Sequence, residues 1–219
     1  MAGPGQQGVT WLAFSPDGQT LATIDARAGG TLYLWRVATH SLIATLTDPN
    51  GEYISSAAFG PDGQTLATTD LYGTDLWNIA THSVTASLTT GPNQAGANAV
   101  AFSPNDQTLA TADGNGRIDL WSIASRSVTA SLTDPNDQEP SVVAFSPDGQ
   151  TLATVGTPLD PIYLWSTATH SVTATLSDPG RLGPSAVAFS PDSQTLAAAN
   201  NLSKDVYLWS TATTTSSPR

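Results

Sequence analysis

Apolar and small or polar positions alternate through most of the chain in short runs separated by turn residues. In Ala99-Val100-Ala101-Phe102 and Thr108-Leu109-Ala110-Thr111, larger apolar side chains alternate with small or polar ones, and Ser103-Pro104-Asn105-Asp106 lies between the two runs. A period of two puts successive side chains on opposite faces of a strand, and Pro with Asn or Asp supplies a turn, so this stretch predicts a β-hairpin. Other copies of the turn carry Asp17-Gly18 or Asp148-Gly149, where Gly accepts the positive φ a tight turn needs. A variable stretch rich in Gly, Asn and Asp follows, then a third strand such as Ile162-Tyr163-Leu164-Trp165, built of β-formers. The connector Ala-Thr-His-Ser, at 38–41, 80–83 and 168–171, leads to a fourth strand in which Val84–Leu88 alternates strictly. The unit closes at Asp48-Pro49, Asp134-Pro135 and Asp178-Pro179, because Pro cannot donate to a ladder and so ends the strand.

This unit occurs five times. The pattern F-[SG]-P-x-[DG]-Q-T-L-A, with close variants, runs Phe14–Ala22, Phe59–Ala67, Phe102–Ala110, Phe145–Ala153 and Phe189–Ala197, its phenylalanines spaced 45, 43, 43 and 44 residues apart. Each copy is followed by Leu-Trp, at Trp35, Trp77, Trp121, Trp165 and Trp209, spaced 42, 44, 44 and 44 apart. A strand-rich unit repeating at about 44 residues points to the blade of a β-propeller.

These residues resemble the WD40-repeat family over nearly the whole chain, from about Val9 to Trp209. The resemblance implies an all-β propeller of five blades, each of four antiparallel strands set radially around a channel, with protein interaction as the usual role. Two features depart from the family pattern. The Asp that usually follows the Trp is replaced by Arg36, Asn78, Ser122, Ser166 and Ser210, and the Gly-His pair before the first strand is absent. The family's Trp–Ser/Thr–His–Asp hydrogen-bond network therefore cannot form in its usual composition.

The expected organisation is an unstructured segment over 1–8, a propeller over 9–213 with repeats at about 9–49, 54–90, 97–135, 141–179 and 185–213, and a tail over 214–219. The last blade is expected to lack its outer strand, and MAGPGQQG has no alternating apolar residues with which to supply it. Five blades then close a tighter ring, belong to a larger propeller, or complete a ring by self-association. An open arc exposes the apolar residues that otherwise pack between blades.

Composition narrows the functional classes. With 7 Lys+Arg against 18 Asp+Glu and a net charge of -11, the chain lacks the basic face that nucleic acid or an anionic membrane requires. Zero cysteines exclude disulfides, thiolate metal sites and Cys nucleophiles. The N-terminal residues have neither a basic n-region nor an apolar h-region, and no apolar run approaches the length of a transmembrane helix. A cytoplasmic, soluble protein is expected.

The candidate binding residues lie in the segments that differ among the five copies. If the WD40 arrangement holds, the loop before the Trp strand and the loop after the outer strand share the top face, and loops on a rigid scaffold are where binding determinants sit. The first set holds Asp25, Arg27, Asp70, Tyr72, Asn115, Arg117, Asp160, Asn201 and Lys204; the second holds Glu52, Tyr53, Asn93, Asp137, Glu139 and Arg181. Tyr and Arg are the usual anchors of protein interfaces, and the partner-binding set expected here is Arg27, Tyr53, Tyr72, Arg117, Asp137, Glu139, Arg181 and Lys204.

His40, His82 and His170 occupy equivalent positions in separate repeats, so they read as connector residues and not as a metal or catalytic cluster. The acidic run Asp134–Glu139 lacks the spacing of a calcium loop and reads as a solvated turn. The repeat tryptophans read as core, whereas Trp11 replaces a small or polar residue of the other copies and is expected to be partly exposed. There is no nucleophile elbow and no His near a nucleophile. The expectation is a scaffold without catalytic residues, cofactor or metal, binding a protein or peptide; the alternatives are a small-ligand or glycan-binding propeller and a self-associating propeller fragment.

Overall fold

The computed structural model describes residues 8–25, 30–89, 96–156, 161–177, 184–200 and 205–211. Every regular element among them is a strand. The first sheet comprises β1 (Val9–Phe14), β2 (Thr20–Asp25), β3 (Thr31–Arg36) and β4 (Ser41–Thr47); the second β5 (Ser56–Phe59), β6 (Thr65–Thr69), β7 (Thr74–Asn78) and β8 (Ser83–Leu88). The third has β9 (Ala97–Phe102), β10 (Thr108–Asp113), β11 (Arg117–Ser122) and β12 (Ser127–Thr133); the fourth β13 (Val142–Phe145), β14 (Thr151–Val155), β15 (Ile162–Ser166) and β16 (Val172–Leu176). The fifth has three strands among the described residues, β17 (Ala186–Phe189), β18 (Thr195–Ala199) and β19 (Val206–Ser210). Strands pair with their sequence neighbours as antiparallel meanders, which is the repeated blade of a WD40-like propeller.

The chain forms two compact units, Met1–Phe102 and Ser103–Arg219. In the first, Ala22, Ile24, Leu32 and Leu34 of the first sheet pack against Ala57, Leu66 and Trp77 of the second. In the second, Val155, Ile162 and Leu164 of the fourth sheet pack against Leu196, Ala198 and Trp209 of the fifth. Both cores follow from alternation: one face of each sheet meets the opposite face of the next.

The hairpin turn is held by its own side chains. Ser15 Oγ donates to Asp17 Oδ1 at 2.5 Å, the same carboxylate accepts the Gln19 amide at 2.9 Å, and Gly18, at φ 68°, donates its amide to the Ser15 carbonyl at 2.8 Å. The Ser146–Asp148 and Ser190–Asp192 turns repeat the hydroxyl–carboxylate bond, and in all three the hydroxyl holds the carboxyl below the usual range. At Ser103 an Asn105 side chain takes the same place.

The fourth strands carry a feature that alternation did not predict. Their pairing slips by one residue at Trp35, Trp77, Trp121 and Trp165. The extra residue is Thr85, Thr129 or Thr173 in three sheets, and its hydroxyl donates to the carbonyl of Leu76, Leu120 or Leu164 at 3.0, 2.9 and 3.1 Å. A β-bulge leaves a ladder group unpaired, and the threonine satisfies it.

The tryptophans retain one limb of the family network. Nε1 of Trp35, Trp77, Trp121 and Trp165 donates to Oγ1 of Thr23, Thr68, Thr111 and Thr154 at 2.8–3.0 Å. In the fifth sheet the equivalent of that threonine is Ala198, which offers Trp209 no hydroxyl.

Candidate functional site

In the first unit, two of the variable loops meet over a buried acidic cluster. Asp48 follows β4, Asp70 follows β6, and Asp75 lies within β7; all three are buried, and each offers an oxygen within 4.8 Å of the others. Asp48 Oδ2 accepts the amides of Asn50 and Glu52, both at 2.9 Å, which folds the segment after β4 into a tight turn. Asp70 Oδ1 accepts the amides of Tyr72 and Gly73 at 2.6 and 2.8 Å and shapes the β6–β7 loop in the same way. Asn50 then bridges the two loops, its Nδ2 donating to Asp70 Oδ2 at 3.1 Å. Ser87 of β8 donates its hydroxyl to Asp75.

Close backbone approach completes the arrangement. Gly30, at φ 70°, lies where a Cβ would collide with the Glu52 carbonyl and Asp48, so a side chain there would push the loop away. Its carbonyl accepts the Asp48 amide at 2.7 Å.

Three carboxyl groups this close cannot all ionise cheaply out of water. Burial pushes the Asp48 carboxyl up to about 6, with the hydrogen bond and charge of Asp70 adding to the rise and the Glu52 and Asn50 amides opposing it. Burial also raises Asp75, supported by the charge of Asp70 and opposed by hydrogen bonds from Ser87 and Asp48. Asp48 is therefore the member that keeps its proton, and it shares it with the two neighbouring carboxylates. A set of carboxylate oxygens is also the donor type that hard cations such as calcium take. The hydrogen bonds satisfy the cluster as a protonated structural knot.

Around this knot the loops display large side chains. Tyr53, Leu71 and Tyr72 are all exposed, as is Pro49 beside them in the chain. Their backbones are fixed by Asp48 and Asp70, so the apolar groups are held out on a braced support.

The other candidate residues are placed differently. Arg117 opens β11 half-buried, its Nε bonded to Asp119 Oδ1 at 2.7 Å and its Nη2 to Ser131 at 3.1 Å. Asp137 and Glu139 are exposed on the loop after β12, where Asp137 adopts φ 53° and its backbone, with that of Gln138, lies against Gly116. The β10–β11 loop and the loop after β12 thus adjoin in the second unit, as the two variable sets do in the first. Arg27, Arg181 and Lys204, with Asp160, Asn93 and Asn201, lie outside the described residues.

His40, His82 and His170 are exposed in the turn before the fourth strand, each at φ 55–57°, and Arg126 occupies the same conformation at φ 55°. The left-handed region tolerates His better than most side chains, which gives the connector a backbone role. Trp11 is half-buried against the first unit's core. No helix among the described residues is long and apolar enough to cross a membrane.

Sequence reasoning singled out Asp70 as a loop residue and Asp48 as the end of a strand, but not their meeting. The signal available was the repeat itself: the outer strand of one copy is followed by the inner strands of the next, so residues about 20 positions apart come together. A family model described as WD domain, G-beta repeat, matches residues 2–36 and 83–122. The second match begins at β8 and runs through β11, so the sequence repeat joins the last strand of one sheet to the first three of the next. No curated protein matches the chain.

Proposed function

Taking as premise that this chain carries WD40 repeats, we propose that it is a non-catalytic interaction scaffold that holds a protein or peptide partner on the loops of its first unit. WD40 repeats generally mediate protein interactions, and the surface proposed for that role here is the one formed by Tyr53, Leu71 and Tyr72. The single observation that carries the reading is the combination of exposed aromatic and apolar side chains with loops braced by buried carboxylates. Tyr presents a large contact area at small entropic cost, and loops already fixed in place lose little freedom on binding. Exposed Glu52 beside Tyr53 and the net charge of -11 favour a basic or neutral partner segment over an acidic one. Arg117, with its guanidinium engaged by Asp119, serves better as a brace of its own loop than as an anchor.

The test is peptide-display selection against the immobilised protein, followed by titration calorimetry of the selected peptides. Tyr53→Ala with Tyr72→Ala should weaken binding by about tenfold or more, corresponding to roughly 1.4 kcal/mol. Selected peptides that bind the double variant as tightly as the parent would reject this surface. Saturable glycan binding that depends on Trp11 would replace the reading with a lectin-like one.

A further inference from the structure

The internal repeat provides its own control for which faces of a sheet should be covered. On the face that each sheet turns toward the next one in sequence, the third strand carries two residues: Leu32 and Leu34, Thr74 and Leu76, Ile118 and Leu120, Ile162 and Leu164, then Val206 and Leu208. The first eight are between 0% and 4% exposed, whereas Val206 is 67% and Leu208 62% exposed. The small residue on the same face of the second strand follows suit: Ala22, Ala67, Ala110 and Ala153 are fully buried, and Ala197 only half.

The opposite face shows the converse at the other end of the repeat series. Ala57, Val100 and Val143 of the first strands are buried, and Leu66, Leu109, Leu152 and Leu196 of the second strands are fully so. Their counterparts in the first sheet are Leu12, 60% exposed, and Leu21, half-buried, with Phe14 between them 58% exposed. Tyr33 and Trp35 on this face remain buried, so the uncovered part is the β1 side.

Wherever the first of these faces is covered within a unit, the covering surface is the second. Leu32 and Leu34 meet Ala57 and Leu66, and Ile162 and Leu164 meet Leu196 with Val187 and Phe189 beside it. Val206 and Leu208 therefore present one half of an interface whose other half is built by Leu12, Phe14 and Leu21, and both halves are exposed in the same chain.

We infer that a second copy of this chain covers them: the Val206–Leu208 face of one copy packs on the Leu12–Phe14 face of the other, as successive sheets do within a unit. Two such contacts, related by a two-fold axis, satisfy both faces of both copies and close the assembly. The occupant is specified by the repeat, since the surface that fits the fifth sheet is the surface that fits the four before it. This inference is independent of the partner surface at Tyr53 and Tyr72, which lies on other residues.

Light scattering after size exclusion, across a hundredfold dilution of the full chain, is the test. The parent should run at twice 22.6 kDa at its higher concentrations. Phe14→Glu and Leu208→Glu each place a charge on one face only. Each should be monomeric alone, with unchanged far-ultraviolet circular dichroism because both positions are exposed in the single chain, and their mixture should regain a species of twice the monomer mass through the one intact pair of faces. Should either Glu variant lose structure, Leu12→Thr and Val206→Thr, which keep strand propensity, take their place and should each weaken the dimer at least tenfold. A parent that is monomeric at every concentration, a dimer that survives both substitutions, or folded variants that fail to complement would each overturn the inference.

Discussion

At the scale of single residues, the internal copies show which chemistry a position requires. The tilted Tyr–Trp contacts of Tyr33 with Trp35, Tyr163 with Trp165 and Tyr207 with Trp209 occur where Asp75 and Asp119 stand in the other two sheets. Those two aspartates instead accept a hydroxyl from the neighbouring strand, Ser87 or Ser131. A buried carboxylate is tolerated only with such partners, and the first unit concentrates three of them. This has a pH consequence. Asp48 has a folded-state value near 6 against an ordinary 3.8, so between those values the folded chain binds more protons than the unfolded one. Stability therefore falls as pH rises through that window, and the deficit is fully present above it. Asp48→Asn keeps an oxygen for the Asn50 and Glu52 amides and gives Asp70 a permanent donor. It should raise stability at pH 8 by roughly 1–3 kcal/mol, have no effect near pH 3.5, and leave a shallower slope owing to Asp75. Urea unfolding at the two pH values checks this, and equal effects at both would show that Asp48 does not hold the proton.

At the scale of the element, each sheet is built from a hairpin turn locked by a hydroxyl–carboxylate pair, a strand ending in Leu-Trp, and an outer strand with a bulge. The Trp–Thr bond ties the second strand to the third beneath the surface, with Thr111 and Trp121 both buried. Thr111→Val preserves shape but leaves the Trp121 N–H buried without its acceptor, which should cost about 1–3 kcal/mol, read as a lower urea midpoint with an unchanged slope. An unchanged midpoint would mean that the family network is dispensable even in the limb this chain retains. The connector gives a second lesson at this scale: Arg126 replaces His with the same backbone conformation, so that position is selected for its φ and for the hydroxyl pair around it, such as Thr39 with Ser41 at 2.8 Å.

At the scale of the whole molecule, a repeat array is stabilised by contacts between neighbouring units, and a sheet with one bare face has lost half of them. Amide exchange on dilute protein should therefore find β1 and β19 less protected than β7, β11 and β15. Protection of β1 and β19 should rise with protein concentration as the second copy covers them; uniform protection at every concentration would contradict both statements. The sequence by itself determined the strands, the turns, the five-fold repeat and the family, because a period of two, Pro and Gly at turns and a 44-residue recurrence are local or self-referential patterns that need no partner to be read. It also marked Tyr53, Tyr72 and Asp70 as variable-loop residues. What only the tertiary structure decided was which residues meet: that Asp48, Asp70 and Asp75 converge into one protonated knot, that Arg117 is engaged by Asp119, and that Leu12, Phe14, Val206 and Leu208 stay exposed where their counterparts are buried. Proximity between residues distant in sequence, and the protonation and burial that follow from it, depend on packing between sheets, and packing carries no linear signature.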